Sequence, residues 1–268
     1  MSAYLQFFIL LPLVAFALSL LIPRNKEKII SFVAVGSTAL HLTGGIALII
    51  YWLIIGSPVL DIKHIVLYHT DDFEFFIDFY FDAASAVYLF TGSSVLLLVS
   101  IFSKYYLHRD EGFKRFFSTL LLFFLGYNFV IFSGNFETLF IGWEILGFCS
   151  FLLIAFYRDR YLPVKNALKV ISVYRLGDVC LMLAMWMCHH LFHQNITFLQ
   201  LTNGEFISGL YAGHENMFLF IAIMIVIAPQ QNPRCCRSLP GCHVPWKVLP
   251  LPAPFSTVPF PCTWVLFY

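Results

Sequence analysis

Charge is scarce in this sequence. Asp, Glu, Lys and Arg make up 12% of its 268 residues, where a soluble domain of this length carries about 25%. The formal net charge of +1 leaves no basic footprint, which excludes nucleic acid as a partner. A Gly-rich phosphate loop and a nucleophile elbow are both missing, so nucleotide binding and acyl transfer have no foothold. Cysteine clusters of metal-ligand, iron–sulfur or disulfide spacing are missing too. Cys149, Cys180 and Cys188 lie singly in apolar segments, where they read as small buried hydrophobes. The first apolar run, from Tyr4 to Ile22, lacks the basic start and small-residue cleavage site of a secretory signal. Arg24, Lys26 and Lys28 follow it instead of preceding it, so it reads as a retained membrane helix.

What remains is apolar. Hydrophobic residues make up 60% of the chain and aromatics 18%, including 31 phenylalanines, and the mean hydropathy is +0.81. Several runs reach the roughly 20 residues that cross a bilayer as a helix. In hydrocarbon every backbone polar group needs an internal partner, so the fold class expected is all-α: a polytopic transmembrane helix bundle embedded in the lipid bilayer. The runs predict six complete spans, near 4–22, 29–55, 81–103, 116–134, 138–157 and 165–188, and a truncated seventh from about Met217 to Ala228.

Loop charge gives the orientation. The odd loops hold Arg24, Lys26 and Lys28, then Lys104, Arg109, Lys114 and Arg115, then Arg158, Arg160 and Lys165. The even loops hold a single basic residue, Lys63, with Asp61, Asp71, Asp72, Glu74, Asp78, Glu205 and Glu215. This asymmetry predicts odd loops on the cytoplasmic or matrix side and the N-terminus on the outer side.

Residues 229–268 differ in kind. They hold nine of the thirteen prolines, four of the seven cysteines and no acid, a composition that fits neither helix nor sheet interior. Residues 1–228 are therefore expected to form the membrane domain, and residues 229–268 an irregular or frameshift-derived tail. Regrouped as the third base of each codon with the first two of the next, codons for Pro229–Pro233 can spell Thr-Thr-Lys-Ser. Those for Pro240–His243 can spell Trp-Leu-Pro, and those for Pro245–Ala253 Met-Glu-Gly-Pro-Thr-Pro-Ala-Ser.

The informative charges are the few inside the spans. In IGWEILGFCSFLLIAFY, residues 141–157, the one carboxylate is Glu144. A charge at the bilayer centre costs about 2.5–3.5 kcal/mol even on the lenient insertion scale, so such residues usually face a bundle interior or a hydrated cavity. Burial favours the protonated acid and a nearby cation favours the carboxylate. Glu144 beside a movable basic partner is thus a switchable proton site. The plainer reading is a glutamate near enough to its helix start to reach headgroups. Asp178 follows Arg175 by three residues on one helix face, as a coupling element or as a structural ion pair. Lys169 on the same span is either a relay member or a snorkelling side chain. Asp82, Lys114, Arg115 and Glu137 read as interface anchors. His189, His190 and His193 have spacing that suits a metal but no accompanying carboxylate, and interfacial aromatics are the simpler reading.

The stretch FSGNFETLFIGWEILGFCSFLLIAFYRDR, with Arg175-Leu-Gly-Asp178 downstream, resembles the large antiporter-like subunit of proton-pumping NADH:quinone oxidoreductase, subunit L in bacteria and subunit 5 in mitochondria. Its fifth-helix pattern is matched by Gly142, Trp143, Glu144, Gly147, Ser150, Phe151, Leu152, Leu153 and Ile154. The next helix's pattern is matched by Arg175, Gly177 and Asp178. The stretches Phe79–Asp82 and Lys114–Phe117 are similar as well. The words recovered from the shifted frame match the family's seventh-helix motifs in order, so the resemblance implies a reading-frame change near Ala228. That change would remove the family's relay lysine.

The resemblance implies proton translocation coupled to quinone reduction in partner subunits of a respiratory complex, in a bacterial cytoplasmic or mitochondrial inner membrane, with protons (or sodium ions) carried. Glu144, Asp178, Arg175 and Lys169 are the implied proton-translocation residues. It implies no cofactor and no catalytic redox site in this chain. Two other readings stand: a subunit of a cation/proton antiporter or bicarbonate-uptake system, and a truncated fragment without transport.

Overall fold

The computed structural model describes residues 2–70, 73–192, 196–201, 204 and 214–230. Almost all of the 229–268 segment, Asp71, Asp72, His193 and most of the loop that carries Glu205 lie outside the described residues. Six long helices occupy the six expected spans: α1 (Ser2–Leu21), α2 (Glu27–Ile54), α3 (Ala83–Tyr106), α4 (Phe113–Ile131), α5 (Phe136–Ile154) and α6 (Tyr161–Phe192). A single turn, α7 (Phe198–Leu201), and a 16-residue helix, α8 (Glu215–Gln230), follow. Among the described residues five helices, α2 to α6, are long and apolar enough to cross a membrane, and α1 is apolar over Leu5–Leu21. At 1.5 Å per residue, the 19 residues of α4 and of α5 just match a hydrocarbon core of about 30 Å.

The helix ends follow local chemistry. Asp82 opens α3, its Oδ1 accepting from the Ser85 amide at 2.8 Å. Asn135 opens α5 in the same way, accepting from the Thr138 amide at 2.9 Å. Pro163 sits in the first turn of α6, where its missing N–H costs nothing. Lys114 and Arg115, adjacent on α4, each serve the end of another helix. Lys114 Nζ donates to the Leu20 carbonyl of α1 at 2.8 Å, and Arg115 Nη2 to the Phe156 carbonyl just past α5 at 2.6 Å. A cation there satisfies orphan carbonyls and favours the negative end of the helix dipole.

The architecture is a bundle wrapped around α4. Its apolar stretch is 78% buried, against 28–39% for α2, α3, α5 and α6. In lipid, helix association rests on small residues and interhelical hydrogen bonds, and both are present. Ser19 of α1 donates to Ser118 of α4 at 2.9 Å, and Tyr127 of α4 donates to the Tyr88 carbonyl of α3 at 2.9 Å. Gly126 of α4 faces Gly142 of α5, where a Cβ on Gly142 would meet the Gly126 carbonyl at 2.9 Å.

One element departs from the expected plain loops. β1 (Leu60–Thr70) and β2 (Phe73–Phe81) pair as an antiparallel hairpin, from Leu60↔Phe81 to Thr70↔Phe73 with two irregularities. The hairpin is tied to the bundle. Tyr80 N donates to Phe132 O and Gly134 N to Asp78 O, both at 2.9 Å. The α4–α5 connection thus adds a further rung beside β2, and Phe198 N donates to Gly134 O on its other side at 2.8 Å. Asp78 is a fully buried acid at this seam, not a charge in an open loop.

Candidate functional site

Three of the four residues singled out inside the spans meet between α5 and α6. Arg175 Nη1 lies 2.8 Å from Glu144 Oε1 and 3.3 Å from Asp178 Oδ2, so one guanidinium joins carboxylates on two helices. The other Asp178 oxygen, Oδ1, accepts from Trp143 Nε1 at 2.8 Å. Trp143 and Glu144 are consecutive, so one turn of α5 offers both a donor and an acceptor to one turn of α6. The arrangement is a closed chain: Glu144, Arg175, Asp178, Trp143. The intrahelical pair expected at i,i+3 is present, but Arg175 also crosses to Glu144.

Packing places this turn. Gly142 immediately precedes Trp143, and α4 backbone fills the space where its side chain would be: a Cβ would lie 2.8 Å from the Val130 amide nitrogen. That close approach seats α5 on the innermost helix and turns Trp143 and Glu144 toward α6. On α6, Gly177 and Asp178 are buried and Arg175 is exposed. The side chains grade outward, from 7% exposed at Asp178 through 28% at Glu144 to 52% at Arg175. Arg175 lies in the middle of a 32-residue helix, at a depth where hydrocarbon contact is costly for a guanidinium. The α5–α6 face around it therefore belongs against protein or a hydrated cavity, not against lipid.

Lys169 does not join the cluster. It is exposed on α6, six residues before Arg175, and makes no polar contact among the described residues. The cation that meets Glu144 in this chain is Arg175, whereas spacing alone pairs that residue only with Asp178. Glu137 lies one heptad before Glu144 on α5 and is half-buried, so it is less exposed than an interface anchor would be. His190 stacks on Trp186 with ring centroids 5.9 Å apart and planes within 11°, an aromatic role. Cys149 and Cys188 are buried and Cys180 is half-buried, all as free thiols.

Chemically, one cation is shared by two acids. Arg175 stays charged and Trp143 can only donate, so the two carboxylates are the members that compete for the guanidinium.

Comparison with known proteins converges on one group. The family profile described as NADH:quinone oxidoreductase/Mrp antiporter, TM, matches residues 133–230, and the one described as NADH-ubiquinone oxidoreductase (complex I), chain 5 N-terminus, matches residues 67–117. The NADH-quinone oxidoreductase subunit L of Rickettsia bellii is 30% identical over 226 residues, covering 81% of this chain and 34% of that protein. The NADH-ubiquinone oxidoreductase chain 5 of Metridium senile is 43% identical over 105 residues, covering 39% of this chain and 18% of that one. The chain thus spans about a third or less of the length of these relatives. Among solved structures, the Mrp complex from Dietzia sp. contains a chain that superposes with a TM-score of 0.64 at 18% identity, over 83% of this chain and 23% of that one. An archaeal membrane-bound sulfane sulfur reductase gives 0.58 at 16% identity, over 85% and 43%. At those identities the likeness is one of fold.

Proposed function

Because the chain belongs to the family of antiporter-like membrane subunits shared by NADH:quinone oxidoreductases and Mrp antiporters, we propose that it is a proton-translocating subunit of a NADH:quinone oxidoreductase. The reading rests on one observation: Arg175 bridges Glu144 and Asp178 across α5 and α6. In this proposal Glu144 takes up and releases the transported proton. Asp178, fixed by Trp143 and Arg175, is the second acid that draws the guanidinium away when Glu144 is to be protonated. Lys169, exposed and apart from the cluster, is a relay member in this proposal.

Quinone reduction, and the redox cofactors it needs, fall to partner subunits in the same membrane. The names of the relatives support this. The membrane is a bacterial cytoplasmic or mitochondrial inner membrane, with the N-terminus on the outer side as the loop charges require. The Mrp likeness supports cation/proton antiport as the competing reading.

The test is Glu144→Gln in a full-length subunit within its assembled complex. Gln keeps the shape and removes the titrating group. Proton transport into vesicles should fall sharply while assembly and NADH oxidation by the partners persist. Undiminished proton flux removes the proposed role, and flux that follows a sodium gradient instead turns the reading toward antiport.

A further inference from the structure

Away from the α5–α6 cluster, the cations of the bundle gather at one end. Residues 22–28, 104–115 and 155–165, the three odd loops with the helix turns beside them, hold ten basic residues and four acidic ones. Their depth is that of lipid headgroups, because they join the ends of helices long enough to cross a membrane. Three tyrosines mark the same level, each with a cation over its ring. Lys104 lies 5.8 Å from the Tyr105 centroid, Arg160 5.1 Å from that of Tyr157 and Lys165 5.4 Å from that of Tyr161. Tyrosine is enriched at the membrane–water interface.

Eight of the ten cations are exposed, as loop charge that sets sidedness usually is. Lys114 and Arg115 differ: both are half-buried, and both are held in place. Lys114 donates to the Leu20 carbonyl at the end of α1, and Arg115 to the Phe156 carbonyl just past α5. The Arg115 guanidinium carbon also lies 5.2 Å from the Phe156 ring centroid. The ends of α1 and α5 thus both meet the first turn of α4. Each brings an exposed arginine with it. Arg24 follows Leu20 by four residues, in a turn closed by the Lys26 amide on the Pro23 carbonyl at 3.1 Å. Arg158 follows Phe156 by two. The bond from Lys114 lies at the exposed surface, and an ammonium has three donors, so two remain. Leu20 and Leu21 beside it are 52% and 80% exposed.

We propose that this corner of the bundle, Lys114 flanked by Arg24 and Arg158, binds the headgroup phosphate of an anionic phospholipid, whose acyl chains lie along Leu20 and Leu21. A donor already held in place loses little freedom on binding, which singles out Lys114 among the cations of this end. The surplus of positive charge favours a lipid with net negative charge over a zwitterionic one. This site does not depend on the reading of the Glu144 cluster.

The test is electron paramagnetic resonance of spin-labelled lipids, with the 268-residue chain reconstituted in phosphatidylcholine vesicles. The motionally restricted fraction is compared for labelled phosphatidylglycerol and labelled phosphatidylcholine. The expected result is a preference of about threefold for phosphatidylglycerol, on the order that a few nearby cations confer. Lys114→Gln combined with Arg24→Gln should remove at least half of that preference. Arg24→Gln alone should lower it too, and since Arg24 is exposed in a loop, that variant cannot act by unfolding α1. Lys63→Gln, in the hairpin at the opposite end, should leave the preference unchanged. Equal association of the two lipids with the parent overturns the proposal. So does a preference that survives the double variant, which belongs to diffuse loop charge. Loss of the preference in inorganic phosphate, but not in sodium chloride of equal ionic strength, assigns the corner to the free anion and overturns it as well.

Discussion

Trp143 and Asp178 are joined across the α5–α6 interface by a single 2.8 Å hydrogen bond from indole to carboxylate. It holds the more deeply buried of the two acids, and it leaves Asp178 with one oxygen for the indole and one for Arg175. Trp143→Phe keeps an aromatic ring in the interface and deletes the donor. A hydrogen bond to a charged group contributes about 1.5–3 kcal/mol, and the variant should lose stability on that scale. Thermal unfolding in detergent should report a lower midpoint for Trp143→Phe but not for Trp186→Phe, whose side chain is exposed on α6.

Arg175 is the member that cannot be replaced by charge alone. A guanidinium presents a planar fork of donors, whereas an ammonium is a single point charge on a flexible stem. One fork nitrogen here serves Glu144 at 2.8 Å and Asp178 at 3.3 Å. Arg175→Gln should leave two carboxylates without a cation and largely abolish proton transport in an assembled full-length subunit. Arg175→Lys should retain assembly yet conduct less than the parent, because the shorter lysine side chain carries its one nitrogen less far toward the point that both acids share. Equal flux from the parent and from Arg175→Lys would show that a positive charge at this position suffices and the fork does not matter.

Gly142 sets the distance between α4 and α5. The atoms that a Cβ would meet include backbone, Val130 N at 2.8 Å and Gly126 O at 2.9 Å, and backbone cannot swing aside. Gly142→Ala should therefore part the helices at the turn that carries Trp143 and Glu144, at about 1–3 kcal/mol, the usual cost of overpacking. Gly36→Ala on α2 is the control, since nothing lies within 4 Å of its would-be Cβ. Unfolding midpoints for the two variants should move apart, with only Gly142→Ala falling.

The spans were legible because they rest on a local rule: long apolar runs dictate helices in lipid. A lone acid in such a run must also find a partner. The partner itself was not legible. Arg175 and Asp178 share a helix face by spacing, but that Arg175 also reaches Glu144, 31 residues away, depends on how α5 and α6 cross. The glycine pair Gly126 and Gly142 seats α5 before that crossing, and nothing in one sequence tells which glycines meet. The hairpin had a visible signal that went unused. In FEFFIDFYF, residues 73–81, every odd position is apolar, the period of a strand, while the acids alone suggested an outer loop. His41 stood out in no pattern, because a single histidine in an apolar run has no spacing to interpret. Its surroundings, the rings of Phe8 and Phe124 and the Ser93 hydroxyl, come from three other helices.

Asn135 connects the hairpin to the helix that bears Glu144, and its two functions can be separated. The side chain is fully buried. Its Oδ1 caps α5 through the Thr138 amide, and its Nδ2 donates to the Phe76 carbonyl of β2, each at 2.9 Å. Asn135→Ala removes both. Loss of a cap costs about 1 kcal/mol, and an orphaned buried carbonyl a further ~1–3 kcal/mol, so a total of roughly 2–4 kcal/mol is expected. Asn135→Asp keeps a capping oxygen but turns an acceptor toward the Phe76 carbonyl, in a seam that already holds the buried Asp78. If capping were the whole role, Asp would match the parent. Because the tether to β2 counts as well, Asn135→Asp should also be destabilised, and protease cleavage within the 60–81 hairpin should rise in both variants. Rapid cleavage in Asn135→Ala alone would reduce the residue to a helix cap.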